Sequence, residues 1–410
     1  MTTTKNNEHK KLNFSSEREQ SQACLNSAEH EKNQGRKVLN VPNLRFPEFQ
    51  GEWEELGLSE LLDFKNGLNP KPDKFGKGIK FISVMDILNN AVITYDCIKA
   101  SVDVTEKELS DFSVEKGDML FQRSSETLED VGRANVYMDD KTAVFGGFVI
   151  RGKKKGEYDP QYFNYLLRSP FARKRIIPMG AGAQHFNIGQ EGLSKVKLHF
   201  ANIEEQKKIG KMLSLLDERI ATQNKIIDKL QSLIKGIAQN IVRNNKPNVR
   251  LSDCLECNSS TLQESDVCEH GTYPVYGANG IVGYLNNYNT EGEAVYIIKD
   301  GSGVGTVSYV TGKCSATGTL NTLQAKEGYL LQYLYYLLKV FNFEPYKTGM
   351  AIPHIYFKDY GKAKVFCPSY TEQLRYARLL SAIDSELSIE KNFLTSLNLQ
   401  KQYLLRHMFI

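Results

Sequence analysis

Several features that define common classes of protein are missing from this chain of 410 residues. No window holds 18 uncharged apolar residues, so the sequence predicts no transmembrane helix. The polar first 38 residues lack the apolar segment of a secretion signal, and we expect a mobile tail over residues 1–40. Seven cysteines, an odd number, favour a reducing compartment over a disulfide framework, which predicts a cytoplasmic protein.

An excess of charge of one sign is also lacking. The net charge is +4, residues 41–200 carry 22 Lys and Arg against 23 Asp and Glu, and residues 245–368 carry 10 against 11. Overall charge therefore gives no case for a nucleic-acid partner, and basic groups that bind DNA must cluster on one face. Two dense basic runs exist, at 151–156 and 168–175, and a solvated loop or helix face is the simpler interpretation of each.

Sequence motifs of common enzymes are absent as well. There is no G-x-x-x-x-G-K-[ST] phosphate loop and no G-x-G-x-x-G that opens a helix after a strand. The glycine-rich run at 301–305 stands between strand-like runs and predicts a hairpin turn. Cys254 and Cys257 have the spacing of zinc ligands, but they align with apolar positions of the repeat described below and are expected in the core. His185 and His354 have no partner in a recognisable catalytic triad.

What the sequence does contain is an internal repeat. The stretch EEQKKIGKMLSLLDERI (Glu204–Ile220) returns as TEQLRYARLLSAIDSEL (Thr371–Leu387), 167 residues later. Each copy opens with the pattern of a capping box, with Asn202 three residues before Glu205 and Ser369 at the same place before the second copy. The pattern predicts the start of a long helix in each half of the chain.

A long apolar stripe follows each cap. Its steps alternate between four and three residues, which is the heptad seam of a coiled coil, and Gln223 and Glu390 occupy the same polar place in the two seams. Each helix of about 40 residues is about 60 Å long. We expect the two helices to pair in antiparallel fashion; the alternative is that each packs on its own globular domain. Positions expected at the helix pair or at a partner contact are Ile209, Leu213, Leu216, Asp217, Ile220, Leu380, Ile383, Asp384 and Leu387.

The repeat extends upstream of both helices. QYFNYLLR matches QYLYYLLK, GAQHFNI matches GMAIPHI, and LSELLDFKNG matches LSDCLECNSS. Between these anchors lie strand-like runs broken by Gly and Asn turns, among them AVITYDCIKA and DMLFQRS in the first half and EAVYIIKDGSGVGTVSYV in the second. The sequence therefore predicts an α+β tandem duplication, in which β-rich globular units over 41–200 and 245–368 alternate with helices over 201–244 and 369–410.

Candidate contacts to DNA lie in loops where donors occur together. In the first unit a donor run follows a strand-like run and could reach phosphates or base edges, although a capped loop would have the same pattern. Three consecutive lysines would add affinity through counterion release. In the second unit the candidates lie in glycine-rich loops. The candidate residues are Arg123, Ser124, Ser125, Lys153, Lys154, Lys155, Tyr276, Asn279, Lys299, Ser302 and Lys347.

Three segments carry a resemblance to a known family. Residues 41–67, 123–137 and 273–285, together with the two Glu-Gln helix starts, resemble the specificity subunits of type I restriction–modification systems, called HsdS. The resemblance covers about residues 41–410, and the duplicated layout is its most specific part.

The resemblance implies a function and a set of partners. Each globular unit would be a target-recognition domain that reads one half of a split DNA sequence, and the long helices would set the spacing and dock partners. Two modification (methyltransferase) subunits would supply S-adenosylmethionine chemistry, and two restriction subunits would supply translocation and cleavage with ATP and Mg. This chain itself would hold no cofactor and no catalytic or metal site.

Two other interpretations come from different classes of protein. A coiled-coil scaffold with two protein-binding domains would show no specific retention on DNA. A self-contained nuclease or methyltransferase would be active alone with its cofactor, and the missing motifs disfavour it.

Overall fold

The computed structural model describes residues 39–410, so the mobile tail expected over residues 1–40 falls almost entirely outside the described residues. The described chain forms two compact units. Unit 1 contains the described residues up to Leu215 together with Gln400–Ile410, and unit 2 contains Leu216–Leu399. Among residues 39–410, no helix is both long enough and apolar enough to cross a membrane.

Unit 1 is built from short strands and short helices, followed by the start of a long helix. Its strands are β1 (Glu54–Gly57), β2 (Leu62–Asn66), β3 (Phe75–Ile82), β4 (Ser101–Val102), β5 (Ser113–Val114), β6 (Met119–Gln122), β7 (Ser124–Ser125), β8 (Ala134–Val136), β9 (Ala143–Phe145), β10 (Val149–Lys154), β11 (Phe186–Asn187) and β12 (Lys197–Phe200). Its helices are α1 (Leu58–Leu61), α2 (Val84–Asn89), α3 (Glu106–Phe112), α4 (Pro160–Arg168), α5 (Pro170–Ile176), α6 (Gln190–Ser194) and the first part of α7 (Ile203–Asn244).

Unit 2 repeats this plan with fewer elements. Its strands are β13 (Val249–Arg250), β14 (Leu255–Ser259), β15 (Tyr273–Gly277), β16 (Gly280–Leu285), β17 (Glu293–Ile298), β18 (Val307–Thr311), β19 (Ser315–Ala316), β20 (Leu320–Ala325) and β21 (Lys364–Val365). Its helices are the rest of α7, α8 (Leu251–Cys254), α9 (Leu331–Leu338), α10 (Phe357–Tyr360) and most of α11 (Tyr370–His407).

Each unit is centred on a four-stranded antiparallel sheet of the same topology. The strand order is β2-β10-β6-β8 in unit 1 and β14-β20-β17-β18 in unit 2. Each sheet packs against an aromatic helix, α4 or α9, whose tyrosines and leucines are almost all buried. Because the first strand of each sheet follows a one-turn helix, the predicted match of LSELLDFKNG with LSDCLECNSS is confirmed in three dimensions.

Within unit 2, α7 and α11 form the predicted antiparallel pair. The side chain of Gln223 donates to the backbone oxygen of Glu390 at 3.2 Å and also contacts the Glu390 carboxylate. Ile227 and Ile234 share a hydrophobic core with Leu380 and Leu387. The Arg219 guanidinium lies 4.9 Å from the Phe393 ring centroid, so residue numbers rise along one helix as they fall along the other. The pairing is therefore antiparallel, with the two polar seam residues opposite each other.

Within unit 1, the same two helices meet at their other ends. Ile209 and Leu213 near the start of α7 are buried in one core with Met408 and Phe409. Trp53 lies 6.4 Å from Phe409, measured between ring centroids, in an edge-to-face contact. The end of the chain is thus part of the core of unit 1.

The predicted capping boxes are only partly correct. Asn202 accepts a hydrogen bond from the Glu205 backbone N–H at 3.0 Å, as expected. The Glu205 carboxylate, however, is fully buried and accepts from Arg45 at 2.8 and 2.7 Å. In the second copy the Ser369 hydroxyl donates to the Glu372 carboxylate at 2.8 Å. The shared Glu therefore has a different partner in each unit.

Three further details differ from the sequence interpretation. Residues 91–100 do not form the predicted strand; they contain a single-turn 3₁₀ helix, Tyr95–Cys97. The basic run at 151–156 is an inner strand rather than a solvated loop or helix face, because β10 pairs with both β2 and β6. Cys257 lies in β14 and not on a helix, although Cys254 and Cys257 both pack in the core of unit 2 as expected.

Candidate nucleic-acid interface

The two sheets carry a basic residue at the same place. Arg123 directly follows β6 and Lys299 directly follows β17. The carbonyl oxygen of Arg123 accepts from the Ile188 N–H at 2.9 Å, and that of Lys299 accepts from the Ile355 N–H at 2.9 Å. The fold therefore brings a cation and a returning chain together at one end of each sheet.

The returning chain forms a hairpin loop in each unit, over residues 180–187 and 347–354, here called the twin loops. Ala181 and Asn187 exchange two backbone hydrogen bonds at 2.9 and 2.8 Å, and Thr348 and His354 do the same at 2.9 and 2.8 Å. Both loops begin their tips at a glycine with positive φ. A Cβ at Gly349 would approach the Ile352 carbonyl oxygen to 2.3 Å, so a larger residue cannot make this turn without a shift of the backbone.

The tips of the twin loops are exposed and differ in chemistry. Unit 1 presents Gln184 and His185, whereas unit 2 presents Met350 and Ile352, of which Ile352 is 59% exposed. The supporting hydrogen bonds are the same in both units. The loops therefore combine a fixed frame with variable contact groups, which suits two surfaces that recognise different targets.

The three donor residues predicted in unit 1 all lie beside this loop, since β7 pairs Ser124 with Asn187 and Ser125 with Phe186. Arg123 donates to the Gly147 carbonyl oxygen at 3.3 Å, and the Ser124 hydroxyl contacts the side-chain oxygen of Asn187. Ser124 also lines a cleft of about 430 Å³ whose rim includes Phe148, 68% exposed. Exposed apolar groups beside donors are the combination that reads thymine methyl groups and base edges.

The third donor, Ser125, has a local role. It is 9% exposed, and its hydroxyl accepts from the Thr127 N–H at 3.2 Å. This is the capped-loop alternative for that residue. Ser125 shapes the turn rather than facing solvent.

The three consecutive lysines lie at the opposite end of the sheet from Arg123. Val149, at the start of β10, pairs with Gln122, whereas Lys154, at its end, pairs with Leu62. The separation along the strand is about 16 Å. Lys153 pairs with Glu115 at 3.4 Å, Lys155 pairs with Asp63 at 3.2 Å, and Lys154 donates to the Tyr158 carbonyl oxygen at 3.0 Å. These lysines are not part of the surface around the twin loop.

The candidates in unit 2 converge on the second twin loop. The Gly301 N–H donates to the Pro353 carbonyl oxygen at 2.9 Å, which ties the loop that carries Ser302 to the twin loop. The Lys299 N–H donates to the Thr319 carbonyl oxygen at 3.0 Å, and the Tyr276 carbonyl oxygen accepts from Thr317 at 2.9 Å. Backbone hydrogen bonds therefore tie the segments that carry Lys299 and Ser302 to the twin loop, whereas the Tyr276 ring is partly buried against Tyr296, 5.7 Å away between ring centroids.

The other two candidates in unit 2 lie at the edge of this surface. Lys347 begins the twin loop and pairs with Glu344 at 2.6 Å. Asn279 is exposed at the turn between β15 and β16. Both are accessible, but Lys347 already has an anionic neighbour.

Two polar groups of this surface were not among the predicted contacts. Asn187 and His354 occupy the same position of the twin loops, and His354 Nδ1 lies 3.4 Å from the Asp300 carboxylate. The repeat contained the signal, since Asn187 aligns with His354 when GAQHFNI is matched to GMAIPHI. The side-chain types differ, so the sequence pattern did not mark the pair.

The positions predicted at the helix pair or at a partner contact lie on α7 and α11. Leu380 and Leu387 are buried and Ile383 is partly buried in the core of unit 2. Asp384 accepts a hydrogen bond from the Tyr336 hydroxyl at 3.4 Å and lines a cleft of about 300 Å³. Burial and the nearby Asp384 carboxylate raise the pKa of Tyr336. The remaining positions lie on α7: Ile209 and Leu213 are buried, and Leu216, Asp217 and Ile220 are half-buried.

The duplicated architecture defines a class of protein: a tandem binding protein with two modules of one topology, each carrying an exposed hairpin loop. The chain belongs to the family described as the type I restriction modification DNA specificity domain, whose model matches residues 50–232 and 244–399. The match covers both halves of the repeat.

Relatives and solved structures agree with this membership. The chain is 27% identical over 210 residues to a Methanocaldococcus jannaschii protein named as the MjaX specificity subunit of a type I restriction enzyme, covering 50% of this chain and 49% of that protein. It is 22% identical over 191 residues to the EcoKI specificity subunit of Escherichia coli, covering 45% of this chain and 40% of that protein. The aligned stretches thus span half or less of the length of these relatives.

A solved structure shows the same fold over nearly the whole chain. The type I restriction–modification S subunit of M. genitalium superposes with a TM-score of 0.63 at 19% identity, covering 90% of this chain and 99% of that one. The fold of this chain is therefore that of a known S subunit.

Proposed function

We propose that this chain is the DNA-recognition subunit of a type I restriction–modification complex, in which each unit reads one half of a split target. The observation that carries the proposal is the pair of twin loops, which have the same backbone frame and different exposed side chains. A protein that reads two different half-sites with one fold requires this combination. Donors and apolar groups at the tips match the chemistry of base edges in the major groove.

The proposal divides labour between this chain and its partners. The chain recognises DNA, and methylation and cleavage take place on modification and restriction subunits that bring S-adenosylmethionine, ATP and Mg. Two modification subunits would suit the two-fold repetition of the helix starts. Asp384 and its repeat partner Asp217 are proposed to lie at or near these contacts.

The test is to map methylation in cells that express this chain with its modification subunit. We expect one split motif with two half-sites. Replacing Gln184 and His185 by alanine should alter bases in one half-site only, because these side chains belong to one of the two loops. Replacing Met350 and Ile352 by alanine should alter the other half.

The control variant removes a positive charge outside the surface around the first twin loop. Lys153→Gln should leave both half-sites unchanged, since that lysine lies at the other end of its sheet. A purified complex without sequence-specific retention on DNA would instead favour the coiled-coil scaffold. Altered bases in both half-sites from one loop variant would contradict the assignment of one half-site to each unit.

A further inference from the structure

Unit 1 contains an arginine-lined cleft that the recognition of base edges does not use. Its volume is about 380 Å³, and its walls come from α2, α4, α5 and the turns beside them. Three guanidinium groups share it with apolar side chains. The lining residues used here are Arg133, Arg168, Arg173, Glu129, Leu88 and Ile177.

Arg173 is the central group of the cleft. Its Nη2 donates to the carbonyl oxygens of Glu129 and Val131 at 2.8 and 2.6 Å. Its Nη1 is buried and has no hydrogen-bond partner within the described part of the chain. Burial, and then the charge of Arg133, lower the pKa of Arg173 to about 10. A buried guanidinium with an unused donor is costly, and an anion at that donor would remove the cost.

The neighbouring charges leave a positive excess. Arg133 pairs with Asp130 at 2.6 Å and is 53% exposed, while Arg168 donates to the backbone oxygens of Ala134 and Asn90. Glu129 lies at the rim and is exposed. Among residues 39–410, the carboxylates beside this cleft are those of Glu129 and Asp130, and the hydrogen bonds of Arg173 go to carbonyl oxygens.

The cleft adjoins the first twin loop. Ile177 lines it and begins a 3₁₀ turn, Ile177–Met179, that leads directly into the loop at Gly180. A Cβ at Gly180 would lie 2.6 Å from Val131 Cγ1, so the chain is closely packed at this junction. A ligand in the cleft would therefore lie near the base of the twin loop.

We propose that this cleft binds a phosphate group, and that in the working protein it is a backbone phosphate of DNA beside the half-site read by unit 1. Planar guanidinium groups match phosphate oxygens in a two-point contact, and Leu88 and Ile177 provide apolar surface for the attached sugar. Such contacts fix the position of the protein on the duplex without reading sequence. The inference rests on the proposed function and adds a phosphate contact to it.

The test compares the salt dependence of DNA binding for the full chain and for Arg133→Gln. Loss of one phosphate contact should lower the slope of log affinity against log salt by about 1. The loss of affinity between 50 and 200 mM salt should then be about fourfold smaller than for the unchanged chain. The ratio of specific to non-specific affinity should stay the same, because phosphates carry no sequence information.

A matched control and a second variant make the test decisive. Lys116→Gln removes an equally exposed cation that pairs with Asp140 at 3.0 Å outside the cleft, and it should keep the full slope. Arg173→Lys keeps the buried charge but loses the two-point contact, so it should weaken DNA binding at every salt concentration while the slope stays that of the unchanged chain. Its thermal unfolding confirms that the variant is folded.

Each other outcome has a defined meaning. If the unchanged chain binds its target and Arg133→Gln keeps the full slope, the proposal is overturned while the proposed function stands. If inorganic phosphate raises the melting temperature in a manner that depends on Arg133 but the slope is unchanged, the cleft binds free phosphate and the DNA contact is overturned. If the unchanged chain shows no specific binding, the proposed function fails first.

Discussion

Gln206 and Gln373 make the same two hydrogen bonds in the two units. Gln206 accepts from the Asp159 N–H at 3.0 Å and donates to the Ala201 carbonyl oxygen at 2.7 Å. Gln373 accepts from the Leu330 N–H at 2.9 Å and donates to the Pro368 carbonyl oxygen at 2.9 Å. Each amide thus ties the start of an aromatic helix to the start of a long helix. This bracing explains the repeated Gln better than a capping role does.

At the residue scale, replacing this glutamine should lower the stability of the fold. Gln373→Ala leaves the partly buried N–H of Leu330 and carbonyl oxygen of Pro368 without their partner, so we expect the free energy of unfolding to fall by about 1–3 kcal/mol. Urea unfolding of the full chain measures it. The exposed neighbour Asn392→Ala, on the same helix, should change it by less than about 0.5 kcal/mol. Equal losses for the two variants would show that the amide has no bracing role.

The buried carboxylate of Glu205 gives a second prediction at this scale. Arg45→Met removes the only cation recorded within ion-pair distance of that carboxylate in the described chain, and we expect a loss of about 3 kcal/mol. Adding Glu205→Leu should recover most of the loss, because the unpaired buried charge is then gone. Thermal and urea unfolding of the single and double variants make the comparison. A double variant as unstable as the single one would contradict this explanation.

At the scale of elements, the polar pair in the seam sets the register of the long helices. Gln223 is 4% exposed and faces Glu390 in an otherwise apolar interface. Polar pairs of this kind lower stability while they disfavour shifted pairings. The antiparallel match of 223 with 390 follows from one hydrogen-bonded contact.

Changing this pair should separate stability from register. Gln223→Leu alone leaves Glu390 against an apolar side chain and should lower the melting temperature. The double variant Gln223→Leu, Glu390→Leu should raise it above that of the unchanged chain, because two apolar side chains pack in the seam. Calorimetry of the full chain distinguishes the cases. A double variant less stable than either single variant would mean that the pair stabilises the seam outright.

At the scale of the whole molecule, both halves of the repeat contribute one long helix to the pair. The length of this helix pair is expected to set the spacer between the two half-sites. Each heptad adds about 10 Å to a helix, which corresponds to about three base pairs of DNA. Since the helices are antiparallel, one heptad inserted after Gln223 must be matched by one inserted before Glu390 to keep the seam in register.

The matched insertion should lengthen the untouched spacer of the target by about three base pairs and leave both half-sites unchanged. Methylation mapping in cells measures the spacer directly. Insertion in one helix alone serves as the control and should destabilise the chain, because the seam then loses its opposite partner. Altered half-site bases in the matched variant would show that the helices do more than set spacing.

The sequence alone was sufficient for the features that rest on local rules. The heptad seam, the aromatic helices and the helix-to-strand start of each unit could be predicted because periodicity and repetition are visible in one dimension. The shared polar position of Gln223 and Glu390 in the two seams was visible as well, whereas their contact with each other was seen only in the structure.

Only the tertiary structure decided which polar side chains face a common surface. The three lysines at 153–155 were predicted as DNA contacts because of their charge. Strand register, however, places them at the far end of the sheet from Arg123. Arg173 lies in the basic run at 168–175 and Arg133 lies outside both basic runs, yet chain folding brings the two to one cleft. The sequence specifies the charge and the hydrogen-bonding groups of each side chain. The distance between two groups far apart in the chain is fixed by sheet register and helix packing.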